Sequence, residues 1–443
     1  MKTKSPFRNK SYSKEIKISE RFNRKTINKI AIQSGYKKRS CGKINAKSLV
    51  IGFMMMLSKK KNTYDSWAQE VSLNIGITVS KQAVEERMSA ETTLLTKMLL
   101  EEEFNKQLKT RTLLKGRDSE LFNSIKVEDS TTLNLPEELS FAFPGNVSKG
   151  KKKSLIKVHA MYDFKENTFD FLDLHDFSKN DQSLASHALA YLQKKDLLLR
   201  DMGFLVLDVL EQLNTKGVYF ISRKKAHIKV YDTETNQEIN LLKVLRKKGY
   251  YDKEVSVGKK KMIKMRLVIV PVPPQQAAQR RRKAKQDRDK RLNHSKDYYE
   301  LLGYSIILTN ITESLCSAEM IKKLYELRWQ IEIIFKSWKS CFSMEKLIPT
   351  KCKNPERIYC MIYLFLLFIL LFQVVWSNNN RLKLKQEIKF SIIKMARFFL
   401  DNFFLIFKCE NERMLQDLII SKCIYDKRND RFNLTQKYEQ IAA

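Results

Sequence analysis

Between residues 124 and 222 the hydrophobic period changes several times, and that succession constrains the fold more than any other feature of the chain. Residues 124–129, 155–163 and 168–174 alternate apolar and polar side chains between turn residues, as half-buried strands do. A helical stretch (183–194) follows, then a short apolar strand (196–200) that ends at Asp201. A second helical stretch (206–215) and a fifth strand (217–222) complete the run. Three strands, helix, strand, helix, strand predicts an α/β core whose sheet is covered by helices.

The flanks read differently. Residues 1–45 are basic, lack apolar periodicity and are expected to form a flexible arm. Residues 46–115 turn helical, with a core helix at 49–57 and a short helix capped by Ser80. That short helix exposes Lys81, Gln82 and Arg87, so a helix-turn-helix module and a plain helical hairpin both fit. The core is expected in two parts, 116–222 and 304–376, around a β-rich insertion at 223–303. The insertion should hold strands near 228–231, 255–257 and 262–272 and end in a basic helix, 275–291, carrying Arg280, Arg281 and Arg282. A strand at 304–309 resumes the core, and residues 377–443 are expected to be a helical assembly region. Residues 358–376 are apolar except for Gln373, nearly long enough to cross a bilayer. A helix buried on all sides is the favoured reading, so no membrane is expected.

Charge narrows the partner. Lys and Arg number 83 against 49 Asp and Glu, a net +34 spread along the chain, which favours a polyanion such as nucleic acid. Seven cysteines without a CxxC pair suggest neither a disulfide framework nor a zinc finger, and a reducing compartment fits them. No secretory signal is visible at the N-terminus. The five histidines show no ligand spacing.

The run YELRWQIEIIFKSWK (325–339) reads as one helix. At about 100° per residue, Tyr325, Arg328, Glu332 and Lys339 fall within roughly 60° of one another, beside an apolar face of Leu324, Leu327, Ile331, Ile334, Phe335 and Trp338. A surface ion-pair ladder would look the same. Two further carboxylates stand at predicted strand ends: Asp129 before a Ser130-Thr-Thr turn, and Asp201 before Met202-Gly203. Asp129, Asp201 and Glu332 together would suit Mg²⁺ or Mn²⁺, because hard cations prefer oxygen ligands. Two such ions about 3.5–4 Å apart would serve phosphodiester chemistry.

At this point the residues resemble a family. The 325–339 run resembles the Tyr-x2-Arg-x3-Glu-x6-Lys signature of DDE transposases in the insertion-sequence-four family, with every spacing kept. VEDSTTLNLP resembles that family's first Asp block, and LLLRDMGF followed by GVYFISRKK its second, so the resemblance spans 124–339. It implies an RNase H-like core with Asp129, Asp201 and Glu332 as catalytic, metal-binding residues holding two Mg²⁺ or Mn²⁺ ions. It further implies cut-and-paste transposition through a hairpin intermediate, by a homodimer on the inverted-repeat ends and target DNA, in the bacterial cytoplasm at the nucleoid. Tyr325, Arg328 and Lys339 would hold the DNA end. Tyr304 and Trp329 are the aromatic candidates for stacking a flipped base, and the basic helix with Arg280, Arg281 and Arg282 would contact phosphates. Met202 departs from the family, which often has Arg there. A non-catalytic DNA-end-binding relative is the alternative, and the three intact carboxylates argue against it.

Overall fold

The computed structural model describes residues 18–37, 43–112, 121–148, 150–225, 228–286, 295–383, 390–408 and 411–424. Parts of the expected basic arm (1–17, 38–42), of the basic helix (287–291) and of the C-terminal region (384–389, 409–410, 425–443) lie outside the described residues.

The architecture is a mixed α/β fold built on one central sheet with helices around it. Its strands are β1 (Ile125–Leu135), β2 (Pro144–Ser148), β3 (Lys151–Asp163), β4 (Thr168–Asp176), β5 (Leu197–Arg200), β6 (Tyr219–Arg223), β7 (Val230–Asp232), β8 (Tyr251–Val257), β9 (Ile263–Pro271) and β10 (Tyr304–Thr309). The sheet runs β2-β3-β1-β5-β6-β10-β9-β8-β7, and β4 also pairs with β3. β1, β3 and β4 are antiparallel, while β5 and β6 lie parallel to β1. Three antiparallel strands continued by two parallel ones is the RNase H-like order. The inserted strands do not leave this sheet. β10 pairs antiparallel with β6, and β9, β8 and β7 extend the same sheet outward.

Three local readings are corrected. β1 does not stop at Asp129: it runs to Leu135 because β3 is long enough to pair it as far as Leu135 opposite Ser154, and Thr131 and Thr132 are at ease in a strand. The stretch 183–194 is not one helix but a turn at Asp181–Leu184 and a 3₁₀ segment at His187–Tyr191. Buried cations capture the carbonyls a helix ladder would use, Arg200 taking Ala185 and Lys126 taking Tyr191. The run 325–339 is not one helix but the end of Ala318–Glu326 and most of Trp329–Ser340. Between them Leu327, Arg328, Gln330 and Ile331 each donate to the carbonyl three residues back, a locally overwound turn.

The apolar run lies in a helix from Pro355 to Lys383, and 89% of its most apolar window is buried inside the protein. It runs alongside the Ala90–Thr112 helix, tied by Thr93 to the Glu356 carbonyl and by Gln107 to that of Leu370. Its interrupting residue, Gln373, donates to the Asn167 carbonyl and to the Tyr162 hydroxyl. The polar side chain therefore fastens the helix to the β3–β4 turn. Ser80 caps the helix Lys81–Glu85, as its sequence suggests.

Candidate active site

β1 and β5 remain paired as far as Glu128 opposite Arg200, and no farther. Beyond that point β1 continues beside β3, whereas the chain after β5 turns away at Asp201 into a 3₁₀ turn, Met202–Phe204. The seam thus opens where the two aspartates stand, the position at which open parallel sheets form crevices. The helix Trp329–Ser340 packs against β1 here, with Ile331, Ile334, Phe335 and Trp338 all buried. That burial presents Glu332 to the crevice.

Arg328 joins the carboxylates. Its Nη2 donates to Glu332 Oε1, and its Nη1 lies 3.5 Å from Asp129 Oδ2. The Ser130 backbone N–H donates to Asp129 Oδ1 at 2.8 Å. Burial raises the Asp129 pKa to about 7; Ser130 and Arg328 oppose that shift, while the nearby charges of Asp201 and Glu332 add to it. Arg328 is pulled down by burial, yet Tyr325, Asp201 and Glu332 hold it above its ordinary value. Asp129, Asp201, Glu332, Arg328 and Tyr325 therefore form one electrostatic group. The Tyr325 ring lies under the Arg328 guanidinium, 5.9 Å from its carbon, and burial pushes the phenol up.

The other predicted residues sit farther out. Lys339 is two turns along the helix, 3.9 Å from Glu345. Trp329 is 57% exposed beside the crevice. Tyr304, at the start of β10, is half-buried against the apolar cluster that includes Leu267, Ile269 and Leu308. Within the helix Pro274–Lys285, Arg280 donates to the Tyr304 carbonyl and Arg281 to that of Tyr299, whereas Arg282 is exposed. Arg280 is lowered by burial and by Arg223 and is raised by Tyr325, which sets the middle of the basic helix beside the site.

Groups that sequence reasoning passed over lie beside the crevice and behind it, on the Glu128 side of the sheet. Asp181 accepts from the Ser130 hydroxyl at 3.0 Å and from the buried Lys157 at 2.8 Å. It lies against Gly203, where an added Cβ would stand 2.9 Å from Asp181 Oδ2. Lys225 is lowered by burial while Asp181 and Asp201 raise it, so it faces both carboxylates. Three histidines that look scattered, His159, His175 and His187, come together with ring centroids 5.6–6.1 Å apart. The register of β3 against β4 brings His159 near His175, and the 3₁₀ segment His187–Tyr191 adds the third ring. Among the described residues no group of three His, Cys, Asp or Glu side chains is arranged to clasp a metal ion. At the crevice, the Arg328 guanidinium lies between Asp129 and Glu332.

A family profile described as "Transposase DDE domain" matches residues 121–371, more than half of the chain. The chain belongs to this family. The transposase of insertion sequence IS231D from Bacillus thuringiensis subsp. finitimus is 29% identical over 342 residues, 72% of this chain and 70% of that protein. The transposase of IS1151 from Clostridium perfringens is 27% identical over 402 residues, 86% of this chain and 83% of that one. A solved piggyBac transposase synaptic complex with hairpin DNA aligns at a TM-score of 0.44 and 11% identity, over 95% of this chain and 86% of that chain, too slight a likeness to carry an argument. The DDE-type transposase domain thus contains the whole crevice, from Asp129 to Glu332.

Proposed function

We propose that this DDE transposase cuts and joins DNA at the ends of an insertion sequence, with Asp129, Asp201 and Glu332 as ligands of two divalent cations, Mg²⁺ or Mn²⁺. The observation that carries the reading is the convergence of three carboxylates on one crevice, where a single guanidinium offsets their charge. An all-oxygen donor set suits hard cations, and a cation would restore to Asp129 the charge that burial first, and then Asp201 and Glu332, disfavour. When bound, such ions activate the attacking oxygen and stabilise the departing one.

The protein's own groups do the rest. Arg328 presents a planar fork that can grip a phosphate bidentately, and the Tyr325 hydroxyl stands beside it. Lys339, Trp329 and Tyr304 extend the path of the DNA end, with Trp329 offering an exposed face for a flipped base. The fit of residues 325–339 to the Tyr-Arg-Glu-Lys pattern supports the hairpin route, and action on two ends calls for a homodimer on DNA. The protein works in the cytoplasm, on the bacterial chromosome.

The test is nicking of a duplex that carries the DNA flanking the coding sequence. Asp129→Asn, Asp201→Asn and Glu332→Gln should each retain end binding while losing nicking by about 1,000-fold or more, the scale on which one charge-stabilising group is felt. Nicking near the parent rate by any of them removes that residue from the site.

A further inference from the structure

One residue before each aspartate, β1 and β5 carry a second pair of charges. Glu128 and Arg200 are direct partners in parallel register, so they share one face of the sheet, while Asp129, the next residue along β1, points to the other. Arg200 Nε donates to Glu128 Oε2, and its Nη2 donates to the Ala185 carbonyl. From β3, His159 Nε2 meets Glu128 Oε1 at 2.9 Å. All three residues are at most 1% exposed, and the Phe171 and Phe204 rings lie 4.7 and 5.4 Å from the His159 ring.

Stability alone does not call for charges in such a place. A buried ion pair exchanged for apolar side chains of similar volume often leaves a protein as stable or more so. Here Arg200 Nη1 and His159 Nδ1 are left without hydrogen-bond partners, which makes the arrangement costlier still. What the pair supplies and apolar side chains do not is registration. A slip of β5 against β1 by one residue would carry Asp201 about 3.3 Å along the seam and point Arg200 to the wrong face. Through Ala185 the same guanidinium holds the segment that brings Asp181 to Ser130.

We infer that the Glu128–Arg200 pair, completed by His159, is a positioning device that sets the spacing of Asp129 and Asp201. It rests on the reading of those aspartates as cation ligands. Glu128 and Arg200 touch neither DNA nor cation, and act only through the strands that carry their neighbours.

The test replaces both charges at once, Glu128→Leu with Arg200→Met, so that neither is left buried and alone. Four quantities are compared with the parent: thermal unfolding, binding to the flanking-DNA duplex, the single-turnover nicking rate, and the Mn²⁺ concentration giving half-maximal nicking. The double variant should fold and bind as the parent does. Its nicking should slow by about 100-fold, the effect of misplacing reacting groups by about 1 Å, and its Mn²⁺ requirement should rise. Parent-like nicking at a parent-like Mn²⁺ requirement overturns the inference. Should that variant not fold, Glu128→Gln with Arg200→Gln keeps a neutral hydrogen bond across the seam and is judged by the same two outcomes. Arg200→Lys, which retains the charge but not the fork, should fall between parent and double variant. The controls are the parent and Asp129→Asn. A parent that does not nick, or an Asp129→Asn protein that does, overturns the reading of the site itself rather than of the device behind it.

Discussion

The two faces of the β1–β5 seam both carry carboxylates and one arginine, yet they treat them in opposite ways. On the crevice face the Asp129 and Glu332 side chains are 21% and 37% exposed, carboxylates outnumber the guanidinium, and burial first, then the neighbouring carboxylates, drives Asp129 up to about 7. On the rear face Glu128 and Arg200 match one to one, and burial is complete. An unbalanced, half-open cluster has free energy to release on meeting a cation or a phosphate. A balanced, enclosed pair has already spent its interactions on the fold. One strand, by alternation alone, thereby supplies reactivity to one side and rigidity to the other.

The sharpest way to break that comparison is to make the same truncation on each face. Arg200→Ala leaves Glu128 buried facing His159, and should destabilise the protein by about 3–5 kcal/mol. Arg328→Ala removes a nearly buried guanidinium, but from carboxylates 21% and 37% exposed that water and protons can reach, so its cost in stability should be smaller, about 1–2 kcal/mol. Nicking by Arg328→Ala should nevertheless fall by about 100-fold, because the scissile phosphate loses its grip. Denaturant unfolding and single-turnover nicking of the two variants decide the matter. Equal losses of stability would show that the two faces are not different in kind.

Much of this was legible in the sequence because it rests on local patterning. The alternation in 155–163 and 168–174 yields β3 and β4, the apolar strand 196–200 yields β5, and the apolar face of 325–339 is the face that packs on β1. What was not legible depends on partners distant in sequence. β1 outruns its apparent turn because β3 waits alongside. The helix expected at 183–194 is undone by Arg200 and Lys126, whose burial no local pattern announces. The Glu128–Arg200 pair had a signal, since each residue directly precedes an aspartate on strands that read as neighbours. Asp181 had none: it reaches the site only through Lys157, Ser130 and the absence of a side chain at Gly203.

A smaller effect separates the core from its insertion. Two of the three arginines of the basic helix already hold carbonyls, Arg280 at Tyr304 and Arg281 at Tyr299, and only Arg282 projects outward without a described contact. Replacing all three with Ala should therefore lower the slope of log binding constant against log salt by about 1 rather than about 3. Titrating duplex affinity against salt measures it. A fall of about 3 would mean that the helix releases Tyr304 and Tyr299 on DNA, and no change would return it to a solvated surface.

The smallest expected effect lies at the edge of the rear face and concerns pH. His175 stands on β4 opposite Lys157, and its pKa is lowered from 6.5 to about 4 by burial first, and then by His159, His187, Lys179 and Lys157. Asp173 on the same strand faces His187, 3.2 Å from its Nε2, and burial raises it. The sign for His175 follows from proton counts. Between pH 4 and 6.5 the unfolded chain binds a proton there that the folded protein refuses, so stability climbs with pH across that window. The contribution is fully present above about pH 6.5 and is lost as pH falls towards 4. At about 1.4 kcal/mol per unit the whole shift would amount to about 3 kcal/mol, but the ring is only half-buried and solvent screening reduces this to about 1 kcal/mol. Asp173 acts with the opposite sign, since a raised carboxyl loses stability as pH rises, so the parent profile alone cannot isolate the histidine. The difference between parent and His175→Gln can. Urea unfolding of both at pH 4.5, 5.5 and 7 should show the variant gaining on the parent as pH falls, by about 1 kcal/mol in all. A difference that stays constant with pH would mean that His175 titrates alike in the folded and unfolded chains, and that the rear face admits protons as freely as the crevice does.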